Sequence, residues 1–252
     1  MAAQHRSHPL LLLLLATAVA TLNTAMARVA STPAAGQAVV PQAERAGHMQ
    51  AHFAQVLTVH AAVIRGDLAA ARAPAIWLAD HDAPSSLPAG SAPFVEQMRR
   101  AARRTAQAPT VLEAALGTAD MLKTCGDCHR GVGTMPSVAA SSGPDVGGVV
   151  GHMLVHQRAA DQMLQGLVVP SAAMWRAGTG AFSAAPLRPA LLPDDPKLTP
   201  ELIASERRIH ELAVQAAKTD DGGARAVFYG QIIARCADCH ALHRKVWGPS
   251  GR

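Results

Sequence analysis

The sequence predicts an all-α fold that consists of two tandem four-helix bundles. Aromatic residues make up only 3% of the 252 residues. Alanine is abundant and the residues that favour strands are not clustered, which favours helices. Two short motifs also recur in the same order in the first and second halves of the chain. Such a recurrence indicates a duplicated structural unit.

Each half carries G-H-M-x-x-H near its start, a tryptophan in its middle and C-x-x-C-H near its end. These features begin at Gly47, Trp77 and Cys125 in the first half and at Gly151, Trp175 and Cys236 in the second. We predict that the two units span 42–132 and 148–246. A Gly-, Ser- and Pro-rich stretch at 133–147 is the predicted linker.

Capping signals place four helices in the first unit. We predict helices over 42–65, 67–80 and 91–107, followed by a fourth that carries C-x-x-C-H at its end. Asp67 and Ser91 are expected to cap the second and third helices. Thr110 and Glu113 form a capping box at the start of the fourth.

The second unit follows the same plan. Ser171 is expected to cap a short second helix, and a proline-rich stretch follows it. Thr199-Pro200-Glu201 is a strong start for the third helix. The last helix is expected to begin after Asp220-Asp221-Gly222-Gly223 and carries the second C-x-x-C-H.

In an up-down-up-down bundle the first and fourth helices are antiparallel neighbours. C-x-x-C-H at the end of the fourth helix should therefore face G-H-M-x-x-H at the start of the first. Within that motif, the methionine and the last histidine lie on the apolar stripe that faces the bundle interior. His60 and His243 have no counterpart in the other half and are predicted to lie at the surface.

C-x-x-C-H is the attachment signature of a c-type haem. Its two thiols become thioethers to the porphyrin, and the histidine that follows ligates one face of the iron. The residues concerned are Cys125, Cys128 and His129 in the first half and Cys236, Cys239 and His240 in the second. No other cysteine occurs in the chain.

Two other readings of these cysteines are weaker. A zinc site with four thiolate ligands gives no reason for a histidine after both pairs. A thioredoxin-like redox pair requires a βαβ setting, whereas the flanking sequence is helical in pattern. The sequence therefore predicts two covalently bound haems, each on the last helix of its bundle.

The start of the chain has the features of a secretory signal peptide. Arg6 precedes an apolar run from Leu10 to Ala20, and Ala25-Met26-Ala27 is an A-x-A cleavage site. The run is shorter than the ~20 residues that a membrane-spanning helix needs. We therefore expect a signal peptide over 1–27, an N-terminal extension over 28–41 and a C-terminal tail over 247–252. The mature protein should be soluble and periplasmic or otherwise exported, without a transmembrane segment.

A haem motif on the last helix of a four-helix bundle resembles the class II c-type cytochromes, the cytochrome c prime family. The resemblance covers each unit. Arg45-Ala46-Gly47-His48-Met49 matches the R-x-x-x-M that often begins the first helix in that family, whereas the second unit has Val149 in place of the arginine. The resemblance implies either a six-coordinate electron carrier or a five-coordinate protein whose open distal face can take nitric oxide.

Three assignments are open for the distal face of each iron. The first is ligation by the repeated methionines, Met49 and Met153, and the second is ligation by His52 and His156, which depart from the common family pattern. The third is an open face. Arg45, His48 and His152 are expected to lie beside the distal ligand or to contact a haem propionate.

We expect an electron carrier that serves redox partner proteins, and not an enzyme. The alternative is a protein that binds or senses nitric oxide or carbon monoxide. A di-haem peroxidase is disfavoured because such enzymes resemble class I domains, in which the haem motif comes early. Basic residues that flank the motifs are suited either to steer an acidic partner or, as solvated residues, to interact with the dipole at helix ends; these are Lys123, Arg130, Arg235, Arg244 and Lys245.

The overall charge does not favour a nucleic-acid partner. The formal net charge is +5, and the propionates of two haems would offset most of it. The chain also lacks a dense Lys/Arg run with interleaved aromatic residues.

Overall fold

Eight α-helices make up the fold in this computed structural model, which describes residues 42–84, 86–138, 146–184, 190 and 199–247. In chain order they are α1 Gln42–Ile64, α2 Leu68–Asp80, α3 Ala92–Gln107, α4 Val111–Gly131, α5 Gly148–Val168, α6 Ala172–Ala184, α7 Thr199–Ala216 and α8 Gly222–Trp247. No strand occurs within the described ranges. The all-α prediction is therefore confirmed for this part of the chain.

Several predicted segments lie outside the described residues. They are the signal peptide, the N-terminal extension, 139–145 of the linker, most of the proline-rich stretch and 248–252 of the tail. The described residues all belong to one compact unit, Val40–Arg252. Within them, no helix combines the length and the apolarity that are needed to cross a membrane.

Three of the predicted helix caps are made. The backbone N–H groups of Ala70, Glu113 and Met174 donate to the side chains of Asp67 (2.9 Å), Thr110 (3.2 Å) and Ser171 (3.3 Å). Each bond satisfies an N–H that the first turn of a helix leaves without a partner. Ser91 differs, because its hydroxyl donates to the carbonyl of Pro88 at 2.7 Å and makes no cap.

Consecutive helices pack on each other within each half of the chain. The first and last helices of each half are also in contact, so that α1 meets α4 and α5 meets α8. Three further contacts join the halves, namely α4 with α8, α4 with α5 and α1 with α8. One hydrophobic cluster extends from Val56 in α1 to Ala234 in α8. The core is therefore continuous between the two halves.

The two helices that carry C-x-x-C-H cross at a glycine. A Cβ added at Gly230 in α8 would lie 2.9 Å from the Cα of Leu116 in α4. Any side chain at this position would force the helices apart. Gly230 thus permits the close contact of α4 with α8.

His60 is buried, with only 6% of its surface exposed. Its Nε2 shares a hydrogen bond of 2.7 Å with the hydroxyl of Tyr229 in α8. Because α1 packs on α8 as well as on the helices of its own half, its buried face is wider than the stripe that the sequence indicated. The surface prediction for His60 is therefore wrong, whereas His243 is partly exposed.

Candidate functional site

A cavity of about 230 Å³ lies where the start of α1 meets the end of α4. From α4 it is lined by Cys125, Cys128 and His129, and from α1 by His48, Met49 and His52. Its walls are mainly apolar and include Phe53, Val56, Leu78, Phe94, Val95 and Met98. The structure thus brings together the two motifs of the first half, the arrangement that an antiparallel pair of helices predicts.

The histidine of each C-x-x-C-H is oriented by a backbone carbonyl. His129 Nδ1 lies 2.9 Å from the oxygen of Val168, and His240 Nδ1 lies 2.9 Å from the oxygen of Ile64. A carbonyl oxygen only accepts hydrogen bonds, so Nδ1 carries the proton in both rings. The neutral ring therefore has its lone pair on Nε2, and this tautomer binds a metal through Nε2.

Both carbonyls come from the other half of the chain. Val168 is the last residue of α5, and Ile64 is the last residue of α1. The first helix of the second half therefore orients His129, and the first helix of the first half orients His240. The exchange is reciprocal, and it was not predicted.

Close packing holds each motif against that helix end. A Cβ added at Gly126, inside the first C-x-x-C-H, would overlap the carbonyl oxygen of Leu167 in α5. In the other half Arg244 donates to the carbonyl of Arg65 at 3.0 Å, directly after α1. The absence of a side chain at Gly126 is thus what allows α5 to reach His129.

The cysteine thiols are protonated near neutral pH. Burial raises the pKa of Cys125 and of Cys236 to about 12 and that of Cys239 to about 11, and it also raises the pKa of Cys128. Zinc and thiol–disulfide chemistry both use the thiolate. Among the described residues, no group of three or more potential metal ligands includes a cysteine. The two cysteine pairs therefore do not meet in one four-thiol cluster within the described part of the chain.

Three imidazoles meet in the cavity of the first half. The ligand nitrogens of His48, His52 and His81 all lie within 4.8 Å of one another. His81 follows α2, and its ring stacks on Trp77 with the centroids 3.9 Å apart. Burial is the main cause that lowers the pKa of His52 to about 4, and the charges of His48, His81 and Arg99 contribute to the same shift. Its Nε2 is buried and finds no hydrogen-bond partner within the described part of the chain.

Three imidazoles also meet in the second half, where they surround a carboxylate. Glu206 Oε1 lies 2.8 Å from Nε2 of His152, 2.8 Å from Nε2 of His210 and 3.4 Å from Nε2 of His156. Burial alone would raise the pKa of Glu206, but the imidazoles outweigh it and lower that pKa to about 2. Burial lowers the pKa of His156 to about 4, although Glu206 acts in the opposite direction.

This second cluster lies near the second C-x-x-C-H. The charge of Glu206 contributes to the raised pKa of both Cys236 and Cys239. The G-H-M-x-x-H of the second half, which supplies His152 and His156, is therefore in the vicinity of the motif that it was predicted to face. Met153, from the same turn of α5, is partly exposed.

The remaining predicted residues are more peripheral. Arg45 is partly exposed and is not among the residues that line the cavity, and the Met49 side chain is 39% exposed. Of the flanking basic residues, Lys123 and Arg130 both pair with Asp127, and Arg235 pairs with Asp238 at 2.6 Å. Much of the positive charge at the motifs is thus compensated by the aspartate within each motif.

His81, Glu206 and His210 were not predicted to belong to a site. The sequence does carry a signal for Glu206, since it lies on the same helical stripe as the buried residues Leu202 and Ile209. A carboxylate on an apolar stripe requires a partner, and His210 follows four residues later. His81 gives no such signal, because it lies directly after a helix end.

Comparison with known proteins finds no family model, no curated protein and no solved structure that matches this chain.

Proposed function

We propose that the protein is an exported di-haem c-type cytochrome that transfers electrons. Cys125 and Cys128 would hold one haem and Cys236 and Cys239 the other, with His129 and His240 as the axial ligands. The observation that carries the proposal is the reciprocal pair of 2.9 Å bonds from the two Nδ1 atoms to backbone carbonyls. Each bond leaves Nε2 as the metal-binding nitrogen, next to two thiols.

The residues of the first half fit a haem. The cavity has apolar walls, the two thiols lie on one helix three residues apart, and the facing helix presents nitrogen and sulfur donors. The buried, unpaired Nε2 of His52 favours this residue over Met49, which is 39% exposed, as the distal ligand. The same observation favours an electron carrier over a protein with an open face for nitric oxide or carbon monoxide.

In this proposal the haem supplies one-electron chemistry at its iron, and the chain sets the conditions for it. The Nδ1–H of each proximal histidine, held by its carbonyl, fixes the ring and raises the basicity of the imidazole, which favours the oxidised iron. The apolar walls exclude water and favour the less charged, reduced form. The balance of these two effects sets the working potential.

The helix contacts also agree with the proposed architecture. Each half has its four helices in sequential contact, with the first against the last, as in a four-helix bundle. We therefore propose two haem domains, 42–132 and 148–246, that resemble the cytochrome c prime family and share a large contact through α4 and α8. The electron would pass between the haems across this contact.

The proposal is tested by exporting the full chain in a host that attaches c-type haem. Intact mass should increase by two haems, and the colour should survive denaturation because the bonds are covalent. Replacing Cys125 and Cys128 with Ala should remove one haem, and replacing Cys236 and Cys239 should remove the other. An exported, folded chain whose mass carries no haem would overturn the proposal.

The distal ligand of the first haem is tested by two single substitutions. Removal of the donor that binds iron converts a low-spin haem to high spin. His52→Ala should therefore change the electron paramagnetic resonance spectrum and allow carbon monoxide to bind at one haem. Met49→Ala should leave both properties unchanged, and the reverse pattern would assign the methionine.

A further inference from the structure

The cluster around Glu206 has the composition and the burial of a metal site that is separate from the haem irons. His152 and His156 lie one turn apart on α5, and Glu206 comes from α7. Their ligand atoms are all within 4.8 Å of one another. His156 is 7% exposed and Glu206 is 4% exposed. We propose that these three side chains bind one divalent first-row transition ion of the class of Zn²⁺ or Fe²⁺.

The hydrogen bonding of the cluster leaves a role for a cation. Three imidazole nitrogens surround a single carboxylate oxygen, Glu206 Oε1. His156 Nε2, which lies 3.4 Å from that oxygen, is buried and makes no hydrogen bond within the described structure. A cation would receive the lone pairs of His152 Nε2 and His156 Nε2 together with the carboxylate oxygen.

Only a small adjustment would complete the coordination. Zn–N bonds of about 2.0–2.1 Å place tetrahedral ligand atoms roughly 3.3 Å apart, and the present ligand atoms all lie within 4.8 Å of one another. Two imidazoles and one carboxylate are a donor set that both zinc and non-haem iron use, with positions left for water.

His210 acts as a positioning residue in this site. Its Nε2 lies 2.8 Å from Glu206 Oε1, one helical turn further along α7. Such a bond to a ligating carboxylate orients it and is a common part of metal sites. Among the described residues, no carboxylate joins the first-half cluster of His48, His52 and His81, and all three of these side chains are partly exposed. The ion is therefore assigned to the second half alone.

Metal binding at this site would also determine which residue is available as the distal ligand of the second haem. Nε2 of His156 faces the carboxylate and is used by the ion, so it is not available to a haem iron. Met153 is then the distal candidate in the second half. This last step rests on the proposed function, whereas the metal site itself does not.

The test uses the full chain, freed of loosely bound metal with a chelator and titrated with Zn²⁺ by calorimetry. One ion per chain should bind, and X-ray absorption at the zinc edge should give imidazole and oxygen ligands without sulfur. Glu206→Gln should lower the affinity by more than the roughly 10- to 100-fold that loss of an outer partner costs. Glu211→Gln is the matched control, since Glu211 lies on the same helix and pairs with Arg208 at 3.1 Å.

Each possible result either supports or overturns the metal site. Zinc binding that is lost in Glu206→Gln and kept in Glu211→Gln supports the site. Absence of tight binding, equal binding by both variants, or sulfur ligands would overturn it. If Glu206→Gln does not fold, His152→Ala, checked by circular dichroism, takes its place with the same expected loss. The number of haems per chain is measured separately, so a failure of the haem proposal would not alter the zinc result.

Discussion

At the scale of single residues, the buried hydrogen bond between Tyr229 and His60 joins the last helix to the first. Both side chains are almost fully buried. The 2.7 Å hydrogen bond gives the Tyr229 hydroxyl and His60 Nε2 the partner that a buried polar atom needs. Tyr229→Phe removes the hydroxyl and leaves His60 Nε2 without its hydrogen-bond partner. We expect the free energy of unfolding to fall by about 1–3 kcal/mol, as measured by chemical denaturation. A change below about 0.5 kcal/mol would show that the bond does not form.

The same pair predicts a pH dependence of stability. Burial lowers the pKa of His60 to about 4 from its usual value of 6.5. Between these values the unfolded chain binds a proton that the folded chain does not, so the free energy of unfolding falls as the pH decreases through this window. His60 contributes at most about 1.4 kcal/mol per pH unit to the slope of the free energy of unfolding. Below pH 4 its protonation causes no further loss of stability.

His60→Gln isolates this contribution, because glutamine can hydrogen-bond to Tyr229 but does not titrate. Denaturant unfolding at several pH values should give a shallower decline for the variant than for the wild type. Parallel declines would assign the pH dependence to other groups, of which His52 and His156 are the nearest in pKa.

At the scale of helices, the end of α5 is fitted to the first C-x-x-C-H through Gly126. Replacement of a helical glycine by alanine ordinarily stabilises a protein by about 0.5–1 kcal/mol. At Gly126 the new methyl would overlap the carbonyl of Leu167, so we expect Gly126→Ala to destabilise the fold by about 1–3 kcal/mol instead. Thermal unfolding followed by circular dichroism measures the difference.

The control for that substitution is Gly180→Ala in α6. A Cβ at Gly180 would meet no atom within 4 Å, so this change should have the ordinary stabilising sign. If the two variants shift the melting temperature in the same direction, the close approach of α5 to α4 is not a constraint on the fold.

The helices themselves follow from local sequence signals, and the contacts between the halves do not. Asp67, Thr110 and Ser171 cap helices as predicted, since capping depends on a few neighbouring residues. The meeting of C-x-x-C-H with G-H-M-x-x-H in the first half follows from the order of four helices. The burial of His60 depends on α8, a helix of the other half. The periodicity of α1 alone gives no information about that contact.

The same limit applies to the candidate sites. The motif cysteines and histidines can be read from the spacing of C-x-x-C-H. The carbonyls that orient His129 and His240 cannot, because a backbone oxygen carries no sequence signature. Glu206 could be predicted only in part. Its position on an apolar stripe indicates that it is buried but does not identify its three imidazole partners.

At the scale of the whole molecule, the two halves should unfold together. One hydrophobic cluster passes through both, and α4 packs on α8 at Gly230. We expect scanning calorimetry to give a single transition in which the calorimetric and van't Hoff enthalpies agree. Two resolved transitions would mean that each half is a separate folding unit and that the contact between them is weak.

The crossed carbonyl contacts have a consequence for biosynthesis, which proceeds from the amino terminus. When the second C-x-x-C-H leaves the ribosome, the end of α1 that receives His240 has long been made. The first C-x-x-C-H emerges before Val168 exists, so His129 must wait for its acceptor. The first C-x-x-C-H can therefore be completed only when the fifth helix is present, whereas the second meets an acceptor that precedes it in the chain.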